Sequence, residues 1–450
     1  MKKSEVIEFA KEFYEDEQLL ELEHAIDYAH DKHQGQKRKS GEPYITHPLA
    51  VAHTLIDWDM DIDSVLAGVL HDTVEDTDAT LEEIENMFGR DVAFLVDGVT
   101  KVSQARAGMR DLESYLPQTK DNLSKLLIAV SQDVRVIIIK LADRLHNLQT
   151  LQYMPADKRA KIARESLEVF APMADRLGMG RVRMEIEELA FGYMDPKLFK
   201  HLQSMMKKRL GKSTRKLGVV RLDVERELKK QGITFEINGR VKSIYSLHKK
   251  LQKVDNNMDD IYDLMALRII VADNETCYRV LGILHSMYQP MIARIKDYIA
   301  VPKPNGYQSL HTTVLTPSKQ IVEFQIRTQA MHDYAERGLA ASFHYHEQKA
   351  SKSYTKKKTA VHLPAELQWI TQMQEIASRL RDGEEISRDQ LNVDLFGNRI
   401  FVYSPNGDIY NLPEGALPLD FAYLVHTDIG KHAYSFQVNG NIHAFDKPLH

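Results

Sequence analysis

The chain has 450 residues, 43% of them apolar, and 59 Lys and Arg stand against 64 Asp and Glu. That length allows about three domains, and that composition describes a globular protein with real cores. The formal charge of −5 decides nothing about nucleic acid, while the lone cysteine, Cys277, excludes an internal disulfide framework and any Cys-based zinc site.

A reducing cytosol suits that cysteine usage. The N-terminus carries no apolar signal core, and no apolar run is long enough to span a membrane. A cytoplasmic location without a membrane partner is expected.

Helical spacing governs the first part of the chain, as in Leu19, Leu22, Ile26 and Ala29, and again in Leu81, Ile84 and Phe88. This predicts a mostly α domain over 1–155, followed by connecting helices over 156–199, at Ala156 to Leu177 and Arg181 to Met194. Ala171-Pro172 and Leu177-Gly-Met-Gly180 mark points where those helices bend or break. Lys207 to Lys230 is a basic helical stretch, read as a solvated face rather than a nucleic-acid site. Short β-like runs then appear, at Thr234 to Ile237, Met265 to Val271, Thr312 to Leu315 and Ile321 to Ile326, with a helix at Tyr278–Met287. They predict a mixed α/β domain over 200–346. Residues 347–390 read as a Lys-rich linker and a helix at Ala365 to Leu380. A small β-rich module follows over 391–450, with strands at Arg399–Tyr403 and Phe436–Val438 and turns at Pro405-Asn-Gly407 and Asn439-Gly440.

The apolar run Ser64 to Leu70 stops at His71-Asp72, and Glu75 and Asp76 follow. If one helix continues through this stretch, all four side chains share one side of it. Four ionisable groups at a buried helix end need compensation. Either they are solvated, or a divalent metal takes His71 and Asp72 and leaves Glu75 and Asp76 to handle water. His47 and Asp143, each in a short polar string, complete a mixed N/O donor set that suits Mn²⁺ or a similar ion. Such an ion lowers the pKa of bound water and neutralises phosphate charge.

The order His…His-Asp…Asp resembles the HD-domain metal phosphohydrolases. The strings Arg38-Lys-Ser-Gly-Glu-Pro-Tyr-Ile-Thr-His47, His71-Asp-Thr-Val-Glu-Asp-Thr77 and Lys140-Leu-Ala-Asp-Arg-Leu-His-Asn147 resemble one family among them, the long Rel/SpoT bifunctional (p)ppGpp synthetase/hydrolases of the stringent response. The resemblance implies that His47, His71, Asp72 and Asp143 bind one Mn²⁺. It implies that Glu75 and Asp76 activate or steer the water that removes the 3′-pyrophosphate. Arg38, Lys39 and Ser40 would hold the guanosine nucleotide, with Asn147 and Thr150 one and two turns after Asp143. Relatives usually carry Arg where this chain has Ser124.

In the second domain no P-loop string occurs. Two acids lie on separate apolar strands: Asp263 opens one, and Glu323 lies on another whose alternation puts Glu323, Gln325 and Arg327 on one face and Val322, Phe324 and Ile326 on the other. Such a strand either has one wet face or holds Mg²⁺–ATP. The segment Arg294 to Ser309 joins cations, a Gly turn and an exposed aromatic in one loop, and it looks like the synthetase loop of the same family.

The resemblance then implies that Asp263 and Glu323 hold Mg²⁺ for pyrophosphate transfer from ATP to the 3′-hydroxyl of GDP or GTP. Tyr307 would stack on guanine, Lys303 and Asn305 would support the acceptor, and His311 would lie close to it. Arg240, Lys242, Ser246 and Lys250 would bind the ATP phosphates. Arg294-x-Lys296-Asp297 is the version found in bifunctional members. Ser243 and Ser342 stand where many relatives have His.

Asp420-Phe-Ala-Tyr423 and the strings around it resemble a TGS domain, a β-grasp unit that in the family reads the 3′ end of uncharged tRNA on the ribosome. Lys431 stands at its usual His position, with His432 beside it. The family continues into further regulatory domains, so more chain is expected beyond His450. The fold class expected is multidomain α and α+β: an all-α HD-type hydrolase domain, a mixed α/β nucleotidyltransferase-like synthetase domain and a small β-grasp TGS domain. The function expected is a bifunctional alarmone enzyme. Two alternatives stand beside it, a hydrolase with a nucleotide-binding but inactive second domain, and a ribosome- and tRNA-binding regulator with residual catalysis. Opposed activities in one chain imply two exclusive states, with the connecting helices as the element that shifts.

Overall fold

The computed structural model describes residues 1–107, 133–253, 265–303, 305–340, 399–405 and 409–449. Asp263, Ser124, Ser342, Pro405-Asn-Gly407 beyond its first residue, and the helix expected at Ala365 to Leu380 lie outside them.

The N-terminal unit is all helix. Among its elements are α1 (Asp16–Lys32), α2 (Thr46–Asp57), α3 (Ile62–Leu70), α4 (Thr73–Asp76), α5 (Leu81–Phe88), α6 (Arg90–Ala107) and α7 (Arg135–Gln149). Beyond Asp63 and Ser64 in its first turn, helix α3 is apolar on every side, and all its residues from Ser64 to Leu70 are buried. A helix without a polar face has to sit at the centre of its bundle, and it packs against α1, α2, α6 and α7. Gly68 lets α2 approach closely: an added Cβ would stand 2.4 Å from Leu55 Cδ1. Asp61 caps α3 by accepting from Ser64 N at 3.0 Å. The expected single helix through Asp76 is interrupted. Helix α3 ends at Leu70, and α4 begins at Thr73, so His71 and Asp72 occupy the junction.

The connecting helices belong to the same core. Residues from Ala163 to Ala190 pack with the bundle, together with Leu339 and Ala340 from much later in the chain. Helix α8 (Ala156–Glu165) runs into a π-helical turn, Ser166–Phe170, and on into α9 (Ala171–Arg176). Pro172 has no N–H to give to the preceding turn, so the ladder widens there. Helices α10 (Gly180–Met194) and α11 (Pro196–Lys230) lead on, and the basic stretch from Lys207 runs to the end of α11.

The α/β unit has strands β1 (Phe235–Val241), β2 (Met265–Val271), β3 (Gln289–Pro290), β4 (Lys296–Asp297), β5 (Leu310–Leu315) and β6 (Ile321–Thr328). Their order is β1-β2-β6-β5-β3, with β4 paired to β5. Strands β2 and β6 run parallel; β1 pairs antiparallel with β2, and β5 with β6. Val322, Phe324 and Ile326 enter the core beneath α12 (Asn274–Met287), as their alternation predicts. Glu323, Gln325 and Arg327 share the other face. Helix α13 (Ile244–Lys253) packs with Phe191, Leu202 and Met206 in a separate small core. Helix α14 (Gln329–Arg337) follows β6.

In the last unit, β7 (Arg399–Tyr403) pairs antiparallel with β8 (Ile409–Pro413). Helices α15 (Pro418–Val425) and α16 (Thr427–His432) precede the hairpin of β9 (Phe436–Val438) and β10 (Asn441–His443). Asn439 and Gly440 turn that hairpin with φ of +52° and +79°, the conformation a tight hairpin demands.

Candidate active sites

At the first site, α2 delivers His47 in its first turn, the α3–α4 junction delivers His71 and Asp72, and α7 delivers Asp143. Donor atoms of His47, His71 and Asp143 lie within 4.8 Å of one another. Asp72 joins them, with Oδ2 3.5 Å from His47 Nε2 and Oδ1 3.1 Å from His71 Nε2. His71 Nδ1 donates to the Gly68 carbonyl at 2.8 Å, which leaves Nε2 bare. That atom is buried without a hydrogen-bond partner. A bare imidazole nitrogen among carboxylates is the donor a divalent cation needs, so the residues fit a metal.

Electrostatics agree. Burial alone raises a carboxyl pKa, but Lys140 and His47 overcome it and hold Asp143 well below the usual range. At Asp72 the same burial is overcome by His71 and His47. Burial lowers His47, keeping it neutral. Ionised Asp72 and Asp143 and a neutral His47 are the forms in which these groups ligate. Lys140, 4% exposed, takes Asp143 Oδ2 at 2.7 Å, while His47 Nε2 lies 3.3 Å from Oδ1.

Around this set stands a frame in which Tyr44, His146 and Lys140 were not anticipated. Tyr44 Oη lies 2.7 Å from Asp72 Oδ2 and 2.8 Å from Asp76 Oδ2. Its ring stacks on buried His33 at 4.5 Å. His33 Nδ1 meets Gln36 Oε1 at 2.8 Å, and Gln36 Nε2 donates to the Asp76 carbonyl at 2.9 Å. Glu75 is half-buried and Asp76 exposed on the same one-turn helix. The expected nucleotide loop is a tight hairpin, closed by Arg38 N donating to Glu42 O at 2.9 Å and turned at Gly41 with φ +90°. Arg38 reaches Asn147 Oδ1 at 3.3 Å and Thr150 Oγ1 at 3.1 Å, and Asn147 in turn donates to Asp143 Oδ1. Arg38 is thereby tied to the metal cluster. Ser40 donates to Glu42 at 3.1 Å, and Lys39 is exposed.

The second site lies on the open face of the sheet. Glu323 sits between Lys242 Nζ and His311 Nδ1, each 3.5 Å away. Burial opposes its ionisation, but His311 and Lys242 bring its pKa down to about 2. The carboxylate is thus ionised, with the Lys242 ammonium as its charge partner. His311 Nε2 is 2.9 Å from the Tyr307 hydroxyl. Tyr307, expected to be exposed, is half-buried, edge-on to Tyr298 and His311, with Lys303 Nζ 5.2 Å from its ring centre. Arg240 donates to Gln325 Oε1 at 3.2 Å.

Lys296 lies opposite His311 across β4 and β5. Ser243 caps α13 by accepting from Ser246 N at 3.2 Å, and it donates to the Ser246 hydroxyl at 2.9 Å, so this departure carries a helix cap. Lys250 is one turn further along α13. Asn305, expected at the acceptor, donates its amide to Asp175 O in the connector at 2.9 Å.

Sequence reasoning gave Arg268 and Arg327 no role. Arg327 is buried and Arg268 half-buried, and they share Glu336, at 3.4 and 3.1 Å. Their Nε atoms have no hydrogen-bond partner. Burial and the neighbouring Arg268 lower Arg327 to about 10. Two guanidinium groups against one carboxylate leave surplus positive charge on this face of the sheet. The signal was present, since alternation already placed Arg327 on the Glu323 face.

Known families match in the same order along the chain: an HD domain at residues 25–180, the region found in RelA / SpoT proteins at 239–350, and a TGS domain at 400–450. A GTP pyrophosphokinase of Myxococcus xanthus is 42% identical over 431 residues, which is 96% of this chain and 56% of that one. The bifunctional (p)ppGpp synthase/hydrolase SpoT of Escherichia coli K12 is 40% identical over 434 residues, 96% of this chain and 60% of that one. The chain is similar to RelA/SpoT proteins over nearly its whole length. It spans a little over half the length of these RelA/SpoT relatives. No helix among the described residues is long and apolar enough to cross a membrane.

Proposed function

We propose that this chain carries two opposed activities. The helical unit removes the 3′-pyrophosphate of (p)ppGpp, and the α/β unit makes it by moving pyrophosphate from ATP to the 3′-hydroxyl of GDP or GTP. One observation supports the hydrolase most: the bare, buried Nε2 of His71 faces two aspartates and a second histidine.

His47, His71, Asp72 and Asp143 would hold Mn²⁺. When bound, that ion supplies Lewis acidity toward the phosphate and lowers the pKa of water. The chain's own residues do the rest. Arg38 positions the nucleotide while its contacts to Asn147 and Thr150 hold it beside Asp143. Glu75 and Asp76 are the acids placed to receive a proton from the attacking water. Lys39 and Ser40 line the same hairpin.

In the synthetase reading, Glu323 and Asp263 would hold Mg²⁺. Arg240, Lys242, Ser246 and Lys250 face the ATP phosphates, and Tyr307 offers its ring to guanine with Lys303 and His311 beside it. Ribosome and uncharged tRNA are the partners proposed for the TGS module, where Lys431 and His432 end α16 exposed.

Two assays test the whole reading. ATP, GDP and Mg²⁺ should give AMP and ppGpp; ppGpp and Mn²⁺ should give GDP and pyrophosphate. Asp72→Ala should lose the second reaction and keep the first. Absence of AMP and ppGpp removes the synthetase, and normal hydrolysis by Asp72→Ala at limiting Mn²⁺ removes the metal assignment.

A further inference from the structure

His71 is oriented by a backbone carbonyl, but His47 is not. Its Nε2 faces Asp143 and Asp72, and its Nδ1 lies 2.8 Å from Nδ1 of His146. The two rings are 4.9 Å apart between centres and tilted by 31°. Two imidazole nitrogens at that distance share one proton, and its location decides what His47 is. If His146 carries it on Nδ1, the neutral His47 has its own proton on Nε2, pointing between the two carboxylates. If His47 carries it on Nδ1, its Nε2 is bare and faces the cluster. Only the second arrangement leaves a ligand.

We propose that His146 is a positioning residue for the metal centre, its Nδ1 acting as the hydrogen-bond acceptor that fixes His47 in the ligating tautomer. The inference rests on the metal reading above. His146 itself is no ligand, because its Nδ1 is spent on the side of His47 turned away from the cluster. Helix α7 therefore supplies Asp143 directly and holds the α2 ligand through a side chain three residues later. Ligating histidines ordinarily donate their second nitrogen to a carboxylate or carbonyl, and loss of such a partner weakens metal binding about 10–100-fold. Here a second imidazole takes that place.

The test is Mn²⁺ affinity of the metal-free protein, read from the free-ion electron paramagnetic resonance signal, with metal-free melting temperature measured alongside. His146→Leu and His146→Phe keep bulk and remove the acceptor, so their Mn²⁺ Kd should rise about 10–100-fold. His146→Asn retains an oxygen near the position of Nδ1 and should bind within a few-fold of the natural protein. Wild-type affinity in a folded Leu or Phe variant overturns the proposal. So does an Asn variant weakened as much as they are with an unchanged melting temperature, which is also the deciding measurement if neither apolar variant folds. Failure of the natural protein to bind Mn²⁺ at all would instead remove the metal reading, and the proposal with it.

Discussion

The Tyr44 hydroxyl has one proton and two carboxylate neighbours, Asp72 and Asp76, at 2.7 and 2.8 Å. It therefore links a proposed metal ligand to a proposed water-handling acid. Burial and the two aspartates push its pKa far up, so it stays a donor at any working pH. Tyr44→Phe keeps the stack on His33 and removes only that link. Hydrolysis at limiting Mn²⁺ should fall about 10–100-fold, as for other residues that orient metal ligands, while synthesis is unaffected. Hydrolysis at the natural rate across the Mn²⁺ titration would show the hydroxyl to be idle. At the second site, Tyr307→Ala should remove a stacking surface worth about 1–3 kcal/mol and raise KM for GDP far more than for ATP. Equal effects on both substrates would mark a folding role, which the Tyr307 contacts with Tyr298 and His311 make the competing outcome. The ligand residues themselves were legible because each sits in a short string with its own chemistry. Tyr44 and His146 were not, since their contacts cross 28 and 99 positions of chain and no spacing rule reaches that far. Lys140 was readable in principle: an isolated Lys after Ile137 to Ile139, three before Asp143, has few other reasons to be buried.

At the scale of elements, the apolar run Ser64 to Leu70 and the alternation of Ile321 to Thr328 each fixed a helix or strand and its face. What they did not show was the break between Leu70 and Thr73, which lets His71 and Asp72 turn inward from a helix end. Nor did they show how the α/β unit meets the connector. Leu339 N donates to Leu177 O at 2.8 Å, and Gly338 adopts φ +61° beside it. A Cβ on Gly338 would stand 2.2 Å from Leu177 O and 2.6 Å from Met179 N, both backbone atoms that cannot rotate away. Across the seam Gly178, at φ +71°, leaves 3.0 Å to Asn305 O. Gly338→Ala should therefore destabilise the protein by about 1–3 kcal/mol or more, and Gly178→Ala by less. Thermal unfolding followed by calorimetry checks the order. A Gly338→Ala protein melting like the natural one would mean that the seam opens without cost.

For the whole molecule, the seam bears on how the two opposed reactions proposed above would share one chain, since simultaneous activity would only consume ATP. The loop that carries Tyr307 is tied to α9 through Asn305 and Asp175, and Tyr334 donates to Asn305 O at 3.2 Å. On the far side of the connector, Arg144, next to Asp143 in α7, lies 4.0 Å over the ring of Phe170 in the π turn and 3.0 Å from Glu165. A nucleotide that reorders the Tyr307 loop must disturb or keep the Asn305 contact, and the connector core carries that choice toward the helix of Asp143. The outer bridge from Arg337 to Asp59, at 3.2 Å, is too exposed to contribute more than about 1 kcal/mol, so Arg337→Ala should change the coupling little. Asn305→Ala should change it more. Linkage demands reciprocity: a ligand that favours the synthetase state must weaken binding at the hydrolase by the same factor by which a hydrolase ligand weakens its own. In calorimetry, affinity of the hydrolase site for a non-hydrolysable ppGpp analogue should fall when GDP and an unreactive ATP analogue fill the synthetase. Asn305→Ala should shrink that fall. An unchanged affinity with both sites shown to be occupied would mean two enzymes on a rigid rod, and the exclusive states would be gone.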